Sequence, residues 1–557
     1  MAAAQEERFS RKKHDANYPE KAISFCLAQA GIETQDLDFV AFYEKPFIKF
    51  DRILSTHITY APLGINAFLK SIPVWIREKL WISSLLQKKL NFKRKIIFLE
   101  HHESHAASSF LTSPFEKAAI ITCDGVGEWS TTTLGYGEGN KIFLQKEITF
   151  PDSLGLLYSA FTYFLGFKIN SGEYKVMGLA PYGKPKYKKR ILEHLIHLKE
   201  DGSFKLNMRY FSYLYGLKMV NKNFEKLFGR LRRKSEDALT EDDFDIAASI
   251  QSVTEEVMIK MARFAKKEFG LKYLCLAGGV ALNCVANGKI LREVGFEDIY
   301  IQPAAGDSGG ALGAAAFTYY SLLNHPRQYD VMPSPHLGPE YTDESIRKTL
   351  HEIGASFETL STHDLLKRTA KLIQQQQVIG WFQGKMEFGP RALGGRSILA
   401  DPRNPKMKDI VNVKIKFRES FRPFAPTVLA DKVSDFFDLK VESPFMLLVA
   451  PVKLKKEMIP AVTHVDGSAR IQTIKREDNP LYYDLIKEFF HLTGMPIMIN
   501  TSFNVRGEPI VCTPSDAYRC FMGTNLDYLV VGNMLLDKKK QRDFIEHKPY
   551  HETFPLD

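Results

Sequence analysis

The chain has 557 residues, too many for one hydrophobic core, so two large domains are expected. With 45% apolar and 25% charged residues it has the composition of an ordinary globular protein, and no apolar run approaches the roughly 18–20 residues of a membrane-spanning helix. The net charge of +10 suits a nucleic acid, a membrane surface or a substrate with several phosphates.

The chain opens MAAAQEERFSRKKHD, without a signal peptide. The first strand-like run is DFVAFY, followed by the basic stretch WIREKLWISSLLQKKLNFKRKII, which reads as one amphipathic surface helix. Next, KIIFL leads into EHHESHAASSF; a helix starting near His101 puts His101 and His105 on one face, one turn apart, and turns His102 elsewhere. Two imidazoles so spaced can grip one divalent ion. The strand AAIITC ends in CDGVGEWSTTTLGYGEG, which supplies Asp124 with Gly125 and Gly127. SGEYKVMGLAPYGKP contributes Glu173 and Lys175, read as part of a loop dense in glycine and proline.

A long amphipathic stretch then carries Ile250, Val253, Val257, Met261 and Phe264 at helical spacing. YLCLAGGVALN places Gly278, Gly279 and Asn283 at a strand exit, and DIYIQPAAGDSGGALGAA places Asp307, Gly309 and Gly310 at another. Carboxylates at strand ends are where open α/β sheets hold ligands, and glycine-rich turns that open helices bring backbone N–H groups to phosphates. Two His with one or two Asp suit Fe(II), Zn(II) or Mn(II). After a Pro-rich connection, NHPRQYDVMPSPHLGPEYTDESI, a second α/β segment begins, giving expected domains of 1–335 and 336–557.

That second segment holds the sharpest charge cluster. From Lys385 to Arg422 there are ten Lys and Arg against four Asp and Glu, spaced by Gly and Pro turns rather than at helical intervals. Arg391, Arg396, Lys416, Arg418 and Arg422 stand here; Arg470 follows in HVDGSARIQTI, and Asn500 and Ser502 in MINTSFNVRGEPI. Arginine's planar fork suits phosphate or carboxylate. The six cysteines (Cys26, Cys123, Cys275, Cys284, Cys512, Cys520) are scattered with no CxxC pair, which argues against a zinc ribbon or disulfide frame and for a reducing compartment, so a cytoplasmic location is expected.

Nine motifs in order, EERFSRKKHD, EHHESHAAS, DGVGEW, EYKVMGLAPYG, LAGGVALN, PAAGDSGGALGAA, FGPRALGGRSILADPR, FRPFAP and NTSFN, resemble the NodU/CmcH/TobZ family of O-carbamoyltransferases over nearly the whole chain. The resemblance implies an actin-like N-terminal domain and a YrdC-like C-terminal domain. It implies that carbamoyl phosphate and ATP, with Mg(II), form carbamoyl adenylate in the second, and that the carbamoyl group passes in the first to a hydroxyl of a small molecule or saccharide. His101, His105, Asp124 and Asp307 would hold an Fe(II) ion, with His101 and Asp124 also catalytic; Gly125, Gly127, Glu173, Lys175, Gly278, Gly279, Asn283, Gly309 and Gly310 would face nucleotide. Arg391, Lys416, Arg422, Arg470, Asn500 and Ser502 would bind carbamoyl phosphate or adenylate, Lys416 and Arg422 as catalytic groups. Family members usually begin with a His-Asp-Ser-Ala strand and a hairpin ahead of EERF. Here that hairpin is expected to be missing, through a late start site or a truncation, and with it a histidine near the acceptor; His14 is read as solvated rather than as its replacement. Membrane and nucleic acid are not expected partners, and a homodimer is compatible with the sequence. Two other readings stay open: a tRNA-modifying carbamoyl or threonylcarbamoyl transferase, and an inactive nucleotide-binding scaffold.

Overall fold

A computed structural model describes the chain except residues 236, 330, 331, 333, 543–548, 556 and 557. Three of these lie in the Pro-rich connection, whose expected linker role there falls outside the described residues. The chain divides into two compact units, Gly31–Met332 and Met1–Ala30 with Pro333–Asp557.

In the Gly31–Met332 unit, β1 (Lys117–Cys123), β2 (Ser130–Glu138), β3 (Lys141–Thr149), β4 (Tyr273–Ala277) and β5 (Asp298–Ile301) form a sheet in the order β3-β2-β1-β4-β5. β1 to β3 are an antiparallel meander, whereas β4 pairs parallel to β1 and β5 parallel to β4. The unit is α/β, as the alternating runs of its sequence predict. β1 is central and buried from Ala118 onward, hence its continuous apolar run. The edge strand β3, KIFLQKEIT, is largely exposed and carries lysines, which discourage pairing with another chain. A separate parallel pair joins Ala41–Phe42 to Ile97–Phe98.

Five helices of this unit carry sequence-chosen residues or stand next to them: α1 (His101–Phe110), α2 (Glu173–Leu179), α3 (Glu241–Phe269), α4 (Cys284–Val294) and α5 (Ser308–Ala316); α1 and α3 pack on the sheet. α3 starts at a capping box between Thr240 and Asp243 and stops at Gly270, which adopts φ 64°. α1 is buried except at Glu103 and packs directly on α5. The small residues of α5 allow this: a Cβ on Gly313 would sit 1.9 Å from the Ser104 carbonyl oxygen. Two expectations are corrected. Glu173 and Lys175 lie on a helix, since Gly172 and Pro181 bound the segment rather than interrupt it. The basic stretch is not one helix: Ile65–Arg77 ends at Glu78, whose backbone leaves helical geometry, and a new helix runs Ile82–Leu90.

The other unit is built on β6 (Glu358–Thr359), β7 (Ile379–Phe382), β8 (Arg396–Ala400), β9 (Ala425–Leu429), β10 (Leu448–Pro451), β11 (Ser468–Ile474), β12 (Ile497–Ser502), β13 (Tyr528–Val531) and β14 (Met534–Asp537). Among the described residues these form one mixed sheet, ordered β6-β14-β13-β7-β8-β12-β9-β11-β10. The opening segment, assigned by sequence to residues 1–335, clusters here instead. Arg8 donates to the Gly389 carbonyl (2.9 Å), Arg11 donates to Glu508 (2.6 Å) and to the carbonyls of Pro509 and Ile510, and Phe9 packs against Met386, Ile510 and Cys512.

Candidate metal centre and anion site

α1 begins at His101, whose backbone N–H donates to both oxygens of Glu128 (3.1 Å each). Glu128 also receives the Lys45 N–H (2.7 Å), so one carboxylate satisfies two strand-exit donors and places negative charge at a helix N-terminus. One turn apart, the Nε2 atoms of His101 and His105 approach to 3.1 Å. Asp124, just past β1, sets Oδ2 3.1 Å from His101 Nε2 and 3.4 Å from His105 Nε2. Its Oδ1 accepts the Gly279 N–H at 3.0 Å, which fixes the carboxylate's rotation. Asp307 precedes α5 with Oδ1 3.8 Å from each Nε2. The four donor atoms lie within 4.8 Å of one another. The histidine side chains are buried, whereas that of Asp307 is 62% exposed, so the cluster opens on the Asp307 side.

The electrostatics match this placement. Burial opposes protonation of His101, but the hydrogen bond and charge of Asp124 outweigh it and raise the imidazole's pKa. Burial works against ionisation of Asp124 too, yet hydrogen bonds and charge from the two histidines hold its carboxyl well below the usual range. His102 turns into the core, with Nδ1 2.6 Å from Thr122 Oγ1; burial and the neighbouring imidazoles push it down to about 3. Tyr43 stacks obliquely near His101, ring centroids 5.8 Å apart, and burial and the surrounding carboxylates keep its hydroxyl protonated.

The donor set fits a divalent cation. Two Nε2 atoms 3.1 Å apart can share at most one proton between them. Ligands about 2.1 Å from a common ion lie about 3.0–3.4 Å from each other, the spacing seen among His101, His105 and Asp124, with Asp307 wider at 3.8 Å from each imidazole. Two nitrogens and two carboxylate oxygens with an open side suit Fe(II), Zn(II) or Mn(II).

In the other unit, Lys416 is buried and its Nζ reaches four neutral oxygens: Ser502 O (2.6 Å) and Oγ (3.1 Å), Asn504 O (2.8 Å) and Oδ1 (2.6 Å). Burial, and then the charge of Arg418, drive its pKa well below the usual lysine range. Asn412 links Arg418, whose Nε donates to its Oδ1 (2.7 Å), to the Arg422 carbonyl, which accepts its Nδ2 (2.9 Å). The Arg422 side chain is buried and pairs with Glu419 at 2.6 Å. Asn500, on β12, donates to Gln472 Oε1 (2.8 Å), and its own Oδ1 is buried without a hydrogen-bond partner among the described residues. Lys416 and Ser502 are thus brought into contact, and Arg418 and Arg422 are tied to each other through Asn412.

The family profile "Carbamoyltransferase N-terminus" matches residues 1–316, and "Carbamoyltransferase C-terminus" matches residues 370–538. The chain belongs to the carbamoyltransferase family. Uncharacterized protein sll1178 of Synechocystis sp. is 51% identical to this carbamoyltransferase, over 100% of the present chain and 96% of its own. Nodulation protein NolNO of Sinorhizobium fredii is 39% identical over 97% and 77%, and Nodulation protein NolO of Bradyrhizobium diazoefficiens 40% identical over 79% of each.

Several residues chosen from the sequence of this carbamoyltransferase lie where the chain is closely packed. A Cβ on Gly127 would lie 2.9 Å from His101 Cβ, one on Gly278 2.3 Å from the Cys123 carbonyl oxygen, one on Gly279 2.8 Å from Asp124 Oδ1, one on Gly309 2.3 Å from the Ala304 carbonyl oxygen, and one on Gly310 3.0 Å from the Tyr43 ring. Gly125 alone among them has open space there. Asn283 caps α4 through the Ala286 N–H (3.1 Å) and pairs with the Gln251 amide (3.0 Å). Glu173 receives Ser159 Oγ (2.8 Å) and the Asn170 N–H (2.9 Å), and Lys175 is buried with its ammonium 5.6 Å from the Phe167 ring centre. Arg391 and Arg470 are half-buried, Arg470 within β11. Arg396, counted by sequence with the site arginines, is instead a core residue. It is fully buried on β8, donates to the carbonyls of Gln383, Gly395 and Pro339 (2.9 Å each), and lies 3.7 Å over the Phe382 ring. Sequence reasoning missed Tyr43, Glu128 and Glu387. Glu387 orders the RALGGR turn by accepting the N–H groups of Leu393 (2.7 Å), Gly395 (2.6 Å) and Arg396 (3.2 Å). Glu128 sits in the motif DGVGEW and Glu387 immediately before FGPRALGGRSILADPR, each beside a Gly-rich turn, and an acid there with several backbone donors nearby is the signal that was available.

Proposed function

We propose that this carbamoyltransferase draws on carbamoyl phosphate and ATP to form carbamoyl adenylate in the unit containing residues 370–538, and transfers the carbamoyl group at the His101 centre to a hydroxyl of a small molecule or glycan. Carbamoyl phosphate, Mg-ATP and one water give carbamoyl adenylate, phosphate and pyrophosphate. The acceptor oxygen then bonds to the carbamoyl carbon, AMP departs with the bonding pair, and the hydroxyl proton passes to a base.

The observation that carries this reading is one chain holding both a convergent His₂Asp₂ centre and a separate buried cationic cluster. A divalent ion, taken here as iron(II), on His101, His105, Asp124 and Asp307 would polarise the carbamoyl carbonyl and offset charge on the departing adenylate. The chain's own residues prepare that place: Glu128 fixes the start of α1, the Gly279 N–H locks Asp124, and Tyr43 keeps a neutral wall beside His101. The open space at Gly125 gives a phosphate room to approach the backbone next to Asp124. In the other unit Arg391, Arg422 and Arg470 would take phosphate or carboxylate oxygens by their planar forks. Lys416 orders the Ser502–Asn504 turn, and Asn500 offers a buried acceptor to an amide such as the carbamoyl NH₂.

The test is pyrophosphate release from ATP by the purified chain, with and without carbamoyl phosphate, before any acceptor is added. Release that depends on carbamoyl phosphate is expected, and its absence in folded, metal-loaded protein overturns the reading. His101→Ala should keep pyrophosphate release and lose transfer; loss of both in a folded variant would end the division of labour between the units.

A further inference from the structure

Between Tyr43 and His101 the chain makes an excursion that leaves the wall of the metal centre and returns to it. Its two ends are the paired strands Ala41–Phe42 and Ile97–Phe98, and it consists mainly of the helices Pro46–Thr59, Ile65–Arg77 and Ile82–Leu90. Two features concentrate here. Residues 46–95 carry ten Lys and Arg against two Asp and Glu, a net +8 of the whole chain's +10. Ten of the 25 large apolar side chains exposed among the described residues lie between Phe47 and Leu85. An exposed apolar cluster this dense is a contact surface rather than ordinary exposure.

The middle helix shows how the surface is built. Phe68, Ile72 and Trp75 face inward: Ile72 is buried, Phe68 meets His57 at 5.5 Å and Trp75 meets Phe50 at 6.0 Å between ring centres. The next stripe round the helix is Ile65, Leu69 and Ile76, exposed by 56%, 60% and 50%. Beyond it come Lys70 and Arg77, also exposed. The following segment repeats the combination, with exposed Trp81 and Leu85 beside exposed Lys79 and Lys88. An exposed apolar stripe bordered by cations is the face of an interfacial helix.

We propose that these helices dock the chain on an anionic lipid bilayer surface. The charge decides between occupants. A second copy meeting this face symmetrically would set the exposed cations Lys70, Arg77, Lys79 and Lys88 against like charges. A nucleic acid would pair the cations but leave Ile65, Leu69 and Ile76 without apolar partners. An anionic bilayer takes both, acyl chains for the apolar stripe and headgroup phosphates for the lysines and arginines. No membrane partner is expected from the sequence, in which no apolar run is long enough to span one; a helix lying in the interface needs none.

The experiment is co-sedimentation of the full chain with vesicles of phosphatidylcholine alone, or of phosphatidylcholine containing phosphatidylglycerol, at low and high salt. Binding is expected only to the anionic vesicles and should weaken steeply with salt. Lys79→Gln with Lys88→Gln should weaken it roughly 25-fold, about fivefold per lysine. Leu69→Ser with Ile76→Ser should weaken it at least about tenfold. Both variants should melt and bind metal as the parent does. No binding to anionic vesicles, or binding untouched by either variant, overturns the proposal. So does self-association abolished by Leu69→Ser with Ile76→Ser in a chain that ignores vesicles, which would give the face to a second copy.

Discussion

Three donors of the His101 centre are held by something other than a metal: Glu128 holds the start of the helix that carries both histidines, and Gly279 holds Asp124. A preset cluster of this kind loses affinity sharply when a member is removed. His105→Ala should therefore lower metal affinity by more than the roughly 10- to 100-fold typical of losing an outer partner, measured by metal titration of the apo chain. In the other unit, Arg422→Ala should slow carbamoyl-phosphate-dependent pyrophosphate release roughly 10- to 100-fold, the scale of one charge-assisted contact; unchanged release would remove Arg422 from the activating site. At this scale much was legible. The one-turn spacing in HHESH separates His101 and His105 from His102, and the structure turns His102 to Thr122. Glu128 and Tyr43 were not legible, because their roles depend on an α1 terminus and a ring neighbour that meet them only after folding. Arg396 misled for the opposite reason: a guanidinium satisfied by three carbonyls looks, in sequence, like one awaiting phosphate.

Among the elements, the contact between α1 and α5 matters most, since it joins the histidines to the segment after Asp307. Gly313→Ala would force a Cβ to within 1.9 Å of the Ser104 carbonyl oxygen, so the helices must part. The expected cost is about 1–3 kcal/mol in thermal unfolding, with a matching loss of metal affinity because His105 moves with α1. A normal melting curve would show that the helices separate without cost. Strand ends and the start of α1 could be read from apolar runs followed by Asp or His. The start and end of α2 could not, because a helix bounded by Gly172 and Pro181 has the composition of a loop. Nor could the break at Glu78, where apolar periodicity continues through a non-helical residue.

Across the whole molecule, burial governs the thiols. It pushes Cys123 and Cys275 up to about 12 and Cys512 up to about 11, and Cys284 and Cys520 are buried as well. Native protein at pH 8 should therefore consume about one equivalent of a thiol reagent, at half-buried Cys26, and denatured protein all six. Metal removal should act globally too: a chelator should lower the melting temperature, since an ion at a hundred times its Kd contributes about 2.7 kcal/mol. The α/β class followed from alternating runs and glycine-rich turns, but the allegiance of Met1–Ala30 did not, because nearness in sequence favoured the wrong neighbour.

That allegiance bears on how the chain is made. The partners of Arg8 and Arg11, Gly389 and the Glu508–Ile510 segment, are synthesised after Gly31–Met332. At about 5–20 residues per second, the opening segment waits roughly 25–100 s on the ribosome before its site is complete. The central unit can close first, and the second is completed last, from both ends of the polypeptide at once.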